Sequence, residues 1–254
     1  NGPLYRIEVS LLKDRATLTI DTSGPGLHKR GYRDLVGEAP LKETMASALL
    51  LISRWRPGRE LIDPFCGSGT IPVEAAMMAA NMAPGAKRSF SAEKWHQVPA
   101  ALWNRAREEA ADKVKFDEEI RIHGSDIDDG VLSLARHHAE KAGVSQLIHL
   151  QRRDFREISS KHKYGFIITN PPYGERIGEL PEVERIYRDL GGIFKKFDTW
   201  SFYVLTSHQR FEALVGRRAD KKRKLYNGRI QCNYYQFFGP PPPKPAREEA
   251  DPST

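Results

Sequence analysis

LIDPFCGSGTIPVEAAMMAANM, residues 61–82, decides the fold. Leu61 and Ile62 form the end of an apolar strand that runs into an acid, Asp63. Gly67 and Gly69 then allow the backbone to turn tightly and to pass close to a ligand. The stretch 70–82 is apolar and rich in alanine, which suits a helix packed against a sheet. Strand, glycine turn and helix together make one β-α unit, and the downstream sequence repeats it. IRIHGSD (120–126) reads as a strand, 128–143 as a helix closed by Gly143, and LIHL (147–150) as a strand. GFIITN (165–170) is the next strand, 182–197 a helix, and SFYVLT (201–206) a strand. A short helix near 208–215 and a hairpin around Asn227-Gly228, a type I′ signal, complete the series. Repeated β-α units specify an α/β fold with a mostly parallel sheet covered by helices on both faces, and the closing hairpin adds antiparallel strands.

Upstream, residues 4–12 and 16–22 alternate apolar and polar side chains around Lys13-Asp14-Arg15, the pattern of a hairpin. A loop with a basic end, SGPGLHKRGYR, follows, and 41–55 shows helical spacing through Met45, Ala48, Leu49 and Ile52. The polar stretch 84–118 is too hydrophilic for sheet core and reads as a helical insertion. Residues 240–254, PPPPKPAREEADPST, have the composition of a disordered tail. Three units result: an N-terminal hairpin and basic linker (1–36), the α/β domain (37–239) and the tail (240–254).

The chain has 254 residues, enough for one large domain, and a formal net charge of +7, which favours a polyanionic partner. Its two cysteines, Cys66 and Cys232, lie too far apart in sequence for a disulfide framework or a four-ligand zinc site. No metal is expected, and a reducing cytoplasm fits best. No apolar stretch approaches the roughly 20 residues that span a bilayer, so no membrane partner is expected. The start, Asn1-Gly2-Pro3, lacks an initiator methionine and reads as that of a fragment.

In an open α/β sheet, ligands bind at the carboxyl ends of the strands, and four motifs fall there. DPFCGSGT (63–70) has no P-loop lysine and no G-x-G-x-x-G spacing, which favours a nucleoside with a small charged tail over a triphosphate or dinucleotide. In GSDID (124–128), Asp126 is placed to accept from both hydroxyls of a ribose, while Asp128 suits a helix N-cap. In RRDF (152–155), Asp154 can accept from an adenine amino group and the Phe155 backbone can meet the ring edge. NPPY (170–173) follows the apolar run Phe166-Ile167-Ile168. The side-chain oxygen of Asn170 and the carbonyl of Pro171 can accept the two hydrogens of a planar amine, which aims its lone pair. Pro171 and Pro172 fix the backbone, and Tyr173 offers a face for an extruded base.

DPFCGSGT, GSDID, RRDF and NPPYGER, in that order, resemble the S-adenosylmethionine-dependent class I methyltransferases that act on amino groups. With DTSGPGLHKRGYR, APLKETMA, NMAPGAKRSF and KKRKLYNG, the chain is similar over nearly its whole length, except the tail, to the bacterial 23S ribosomal RNA guanine 2-amino methyltransferases. Members often carry an RNA-binding THUMP domain upstream, and have been labelled adenine-specific DNA methylases because NPPY is shared. The resemblance implies a Rossmann-like class I methyltransferase fold with a seven-stranded sheet and S-adenosylmethionine as the methyl donor. It places the methionine moiety against the loop from Asp63 to Thr70, including Phe65, Gly67 and Gly69. It gives the ribose to Asp126 beside Ile127, the adenine to Asp154 and Phe155, and the target amine to Asn170, Pro171, Pro172 and Tyr173. Asn170 also borders the cofactor, and the helix start LKET (41–44) lies near it. Ribosomal RNA is the implied partner, with His28-Lys29-Arg30, Arg33 and Lys221-Lys222-Arg223-Lys224 as candidates for backbone contact.

Other acceptors are compatible with NPPY: the adenine amino group of DNA, or a protein glutamine amide. A non-catalytic RNA-binding module of the same fold would be expected to have lost Asn170 or the cofactor loop, and both are intact. A nucleotide-dependent oxidoreductase would need the dinucleotide fingerprint that is missing here.

Overall fold

The computed structural model describes residues 2–35, 41–116, 119–174 and 180–243. The chain begins with a two-stranded hairpin, β1 (Arg6–Leu12) and β2 (Arg15–Asp21). The turn is two residues long, with Lys13 and Asp14 both at positive φ, so Arg15, expected in the turn, starts the second strand. Its register pairs Ile7 with Ile20, Val9 with Leu18 and Leu11 with Ala16, which collects the apolar residues on one face. Both strands are exposed almost throughout. Tyr5, just before β1, stacks on Trp95 at 4.7 Å, and the Trp95 indole N–H donates to the Leu4 carbonyl.

The body contains α1 (Glu43–Ser53), β3 (Leu61–Asp63), α2 (Thr70–Ala79), α3 (Ala100–Ala111), β4 (Ile122–Asp126), α4 (Asp129–Ala142), β5 (Ile148–Arg152), β6 (Phe166–Thr169), α5 (Leu180–Lys196), β7 (Ser201–Thr206), α6 (Phe211–Val215), β8 (Lys221–Asn227) and β9 (Ile230–Phe237). Seven strands form one sheet in the order β5-β4-β3-β6-β7-β9-β8; the first five are parallel and β9 and β8 antiparallel. The chain builds outward from β3 through β4 to β5, then returns to place β6 on the other side of β3. That reversal opens a crevice between the carboxyl ends of β3 and β6.

Side chains alternate along each strand and so feed two separate cores. Leu61, Ile122, Ile168 and Leu205 pack under α1, α2 and α4. Ile62, Ile167, Phe202, Val204 and Phe237 pack under α5 and α6, against Tyr187, Leu190, Phe194 and Phe211. Helix α4 is delimited as its sequence requires: Asp128 caps its start by accepting from the Gly130 and Val131 N–H groups, and Gly143 ends it at φ +81°.

Two expectations are corrected. Of the expected insertion 84–118, residues 117 and 118 lie outside the described residues and the described part is only partly helical, with a short 3-10 turn at Ser91–Lys94 and α3, because Pro99 and the Ala83-Pro84-Gly85 stretch break the remainder. In the last hairpin the pairing of Asn227 with Ile230 leaves Gly228-Arg229 as the turn, and only Gly228 has positive φ. That is the pattern of a type II′ turn, shifted one residue from the expected type I′. The linker end at 36–40, Glu175 and Arg176 of NPPYGER, and 244–254 of the expected tail lie outside the described residues.

Candidate active site

The switch point brings the first and fourth motifs together. Asp63 ends β3 fully buried, and its Oδ1 accepts from the Phe65 N–H at 3.2 Å and from the Thr169 hydroxyl at 2.6 Å. Thr169 immediately precedes Asn170, so one hydrogen bond ties the glycine loop to the NPPY corner. Burial pushes the Asp63 carboxyl up to about 7, with the neighbouring Asp126 charge adding to the rise.

The glycine loop is held mainly by backbone groups. The Cys66 N–H donates to the Ser125 carbonyl at 2.9 Å, and the Gly69 N–H to the Cys66 carbonyl at 2.8 Å. Gly67 donates to Asp126 Oδ2 at 2.9 Å, while Asp126 Oδ1 accepts from the Asp128 N–H at 3.1 Å. The two glycines have different jobs. Gly69, at φ +81°, lies where an added Cβ would stand 2.9 Å from the Ala135 Cβ, so it lets α4 pack closely. Gly67, at φ +50°, faces open space, with nothing within 4 Å of an added Cβ. Thr70 is buried and its hydroxyl accepts from the Arg33 guanidinium, so it supports the loop from behind.

Around the third motif, Phe155 is buried and lies 4.8 Å from the half-buried Phe65 ring, joining the loops after β3 and β5. Asp154 caps the short 3-10 turn Phe155–Glu157 and pairs with Arg156 at 2.7 Å, and Arg156 also reaches Asp189 of α5. Ile127 is 64 % exposed beside Asp126, an apolar side chain with no cover.

At the NPPY corner Pro171 is buried and Pro172 exposed. The Tyr173 hydroxyl donates to Asn170 Oδ1, and its ring packs partly against the main core, leaving only part of its face for stacking. Burial raises the Tyr173 hydroxyl well above its ordinary range, so it remains a donor. A carbonyl oxygen has two lone pairs, so Asn170 Oδ1 retains room for a second donor.

Two residues that sequence reading missed hold this corner. The Tyr187 hydroxyl of α5 donates to the Pro172 carbonyl at 2.6 Å and lies 2.8 Å from the Thr206 hydroxyl at the end of β7. Tyr187 sits in the helical stripe Val183, Tyr187, Leu190, Phe194, which reads as plain core, so only the fold shows its polar task.

Of the basic clusters, some members are engaged within the chain. Arg30 pairs with Glu74 at 3.4 Å, and Arg33 with Glu43 at 3.5 Å and with the Leu41 carbonyl, so both guanidiniums tie the linker to α1 and α2. Beside them is a cavity of about 630 Å³ lined by His28, Lys29, Lys42 and Lys87 among others. Lys221 to Lys224 alternate along the edge strand β8, and Lys222 is paired with Glu212, so they form no single patch. Exposed lysines on an edge strand also keep other chains from pairing there.

A family model described as RMKL-like, methyltransferase domain, matches residues 30–236. The Bacillus subtilis protein named "Putative RNA methyltransferase YpsC" is 46% identical over 248 residues, 98% of this chain and 64% of its own length. A Shewanella baltica ribosomal RNA large subunit methyltransferase K/L is 41% identical over 236 residues, 91% of this chain and 33% of its own. The chain thus spans less than two thirds of these curated relatives. Among solved structures, the one described as "SMU.472, a putative methyltransferase complexed with SAH" aligns with a TM-score of 0.89 and 44% identity over 96% of this chain and 64% of its own.

The donor set fits S-adenosylmethionine: open space in front of Gly67, a carboxylate at Asp126 with lone pairs to spare, and the uncovered Ile127 beside it. Fold, crevice and comparisons agree that this chain belongs to the RMKL-like methyltransferase domain family.

Proposed function

We propose that the chain is the catalytic domain of an S-adenosylmethionine-dependent methyltransferase that modifies the exocyclic 2-amino group of guanine in ribosomal RNA. The observation that carries this reading is the Thr169–Asp63 hydrogen bond, which ties the glycine loop after β3 to the amine-accepting corner after β6 at one switch point. S-adenosylmethionine supplies an already activated methyl on its sulfonium. The chain has to position the partners. The loop at Gly67 receives the methionine side, Asp126 beside Ile127 the ribose, and Asp154 and Phe155 the adenine end. Asn170 Oδ1 and the Pro171 carbonyl accept the two amine hydrogens and turn the nitrogen lone pair outward, while the two prolines prevent the corner from relaxing. Such alignment supplies roughly 7–11 kcal/mol of the barrier reduction.

The net charge of +7 and the basic cavity support an RNA acceptor, and the ribosomal RNA large subunit relatives support its class. With Arg30 and Arg33 committed internally, Lys29 and Lys42 are the cavity's best phosphate contacts. This reading includes an RNA-binding THUMP domain upstream in the full-length protein and a cytoplasmic site of action.

The test is transfer of a labelled methyl group to ribosomal RNA from a strain lacking the gene, with DNA as parallel acceptor and nucleoside analysis of the products. Label in 2-methylguanosine of the large-subunit RNA is expected. Label in 6-methyladenine of DNA, with none in RNA guanine, would overturn the substrate assignment.

A further inference from the structure

A second cavity, about 410 Å³, opens beside the NPPY corner and is lined by Tyr173, Leu180, Glu184, Ser207, His208 and Arg210 among others. One of its walls is Tyr173, whose hydroxyl donates to Asn170 Oδ1, so the cavity adjoins the corner that would hold the amine. The most telling group in it is Glu184 of α5, one turn before Tyr187, with its side chain 21% exposed. It accepts from Arg188 at 2.9 Å and from Arg210 at 3.1 Å. Both arginines are more than half exposed, so these are weak, easily exchanged partners. Two oxygens offer about four acceptor positions, so capacity for another donor remains.

His208 sits behind this carboxylate. Its Nδ1 accepts the Arg210 N–H at 3.2 Å, which places the ring proton on Nε2, 3.8 Å from a Glu184 oxygen. The ring meets Tyr187 edge to face at 5.4 Å, so Glu184, His208 and the corner support form one packed group. Burial lowers the affinity of His208 for a second proton, more than the Glu184 charge raises it. At neutral pH the imidazole is a neutral neighbour, and the carboxylate remains the cavity's principal acceptor.

We propose that Glu184 reads the ring edge of the target base, accepting the ring N–H adjacent to the reacting amine, and so selects guanine over adenine. Guanine carries a hydrogen on N1 next to its 2-amino group. Adenine has a bare lone pair on N1 next to its 6-amino group and would set acceptor against acceptor. NPPY alone serves either amine; a carboxylate on the acceptor side breaks the tie. The inference rests on the reading of NPPY as the amine-binding corner.

The substitution Glu184→Gln removes the charge and gives the side chain a donor that can meet adenine N1. Wild type and E184Q are to be compared on ribosomal RNA from the deletion strain, with 2-methylguanosine and N6-methyladenosine quantified in the product. S-adenosylhomocysteine affinity and thermal melting serve as folding controls. The expected result for E184Q is a loss of guanine methylation of roughly ten-fold to hundred-fold, new label in N6-methyladenosine and unchanged cofactor affinity. Arg188→Gln, which removes one of the two arginine partners and keeps the carboxylate, should retain the guanine product. Wild type that forms 2-methylguanosine and E184Q that forms it at the same rate would overturn the role of Glu184 and leave the proposed function standing. An R188Q variant as impaired as E184Q would show that the carboxylate acts by holding Arg188 and would overturn its role as the base acceptor. Wild type that makes no 2-methylguanosine would overturn the proposed function itself.

Discussion

The proposed cofactor side and the proposed acceptor side of the crevice are built by different means. On the cofactor side, backbone N–H groups hold the loop: Cys66 to the Ser125 carbonyl, Gly69 to the Cys66 carbonyl, and Gly67 to the Asp126 carboxylate. On the acceptor side, side chains from remote elements hold a proline-stiffened corner: Tyr187 from α5, Thr206 from β7 and Asp63 from β3. A backbone-held loop tolerates changes in its side chains but not in its conformation. The corner depends on single hydroxyl and carboxyl groups, so conservative substitutions far from it in sequence should reach the chemistry.

The largest effect that sharpens this contrast is expected at Asn170. Asn170→Ala should lower kcat by about 10²–10³-fold, the usual cost of deleting one preorganised polar group from such a site, with little change in S-adenosylhomocysteine affinity. Its mirror on the other side is Asp126→Ala. That variant should weaken cofactor affinity by about ten-fold or more, since it removes both a hydroxyl acceptor and the partner of the Gly67 N–H. Calorimetry separates the two: one variant changes turnover, the other binding.

Tyr187→Phe deletes one oxygen and leaves the Pro172 carbonyl and the Thr206 hydroxyl without it. We expect kcat to fall about ten-fold and stability by about 1–3 kcal/mol, with cofactor affinity intact. Equal losses in turnover and cofactor binding would erase the distinction between the two sides.

Asp63 belongs to both, and pH reports on it. Its carboxyl titrates near 3.8 when unfolded and near about 7 in the folded chain. Between these values the folded state holds the proton that the unfolded state has lost. This group therefore favours folding less and less as pH rises through that window, by up to about 4 kcal/mol, and its contribution is level above it. Asp63→Asn removes the slope, so its stability relative to wild type should increase from pH 4 to pH 7 in denaturant titrations. A difference independent of pH would contradict the burial argument.

The smallest effect is expected at the hairpin. Leu11 is 77% exposed, and Leu11→Lys should shift the stability of the domain by less than about 0.5 kcal/mol.

What was legible in the sequence follows the same division. The turns after β3 and β4 could be read because a strand end, a glycine turn and a capping acid are neighbours in sequence; Asp128 and Gly143 occupy the capping positions their residue types require. The strand end and the two prolines of the acceptor corner were equally local. Tyr187 and Thr206 were not, because a tyrosine in an apolar stripe looks like core until the fold brings a carbonyl to its hydroxyl. The basic clusters misled for a related reason. A run of cations shows charge but not the buried Glu74 and Glu43 that claim Arg30 and Arg33. The turn at Gly228 moved by one residue because cross-strand pairing from Lys221–Gln236 to Asn227–Ile230, not the dipeptide alone, set the register.

The central claim is that one crevice at the β3/β6 switch point holds both methyl donor and amine acceptor. A crystal structure with S-adenosylhomocysteine tests it most directly. The ribose hydroxyls are expected on Asp126, the amino-acid tail along the loop at Gly67, and the sulfur facing the Asn170 amide across a gap that one methyl group fills. A nucleoside bound away from Asp126, or a sulfur directed away from Asn170, would contradict it.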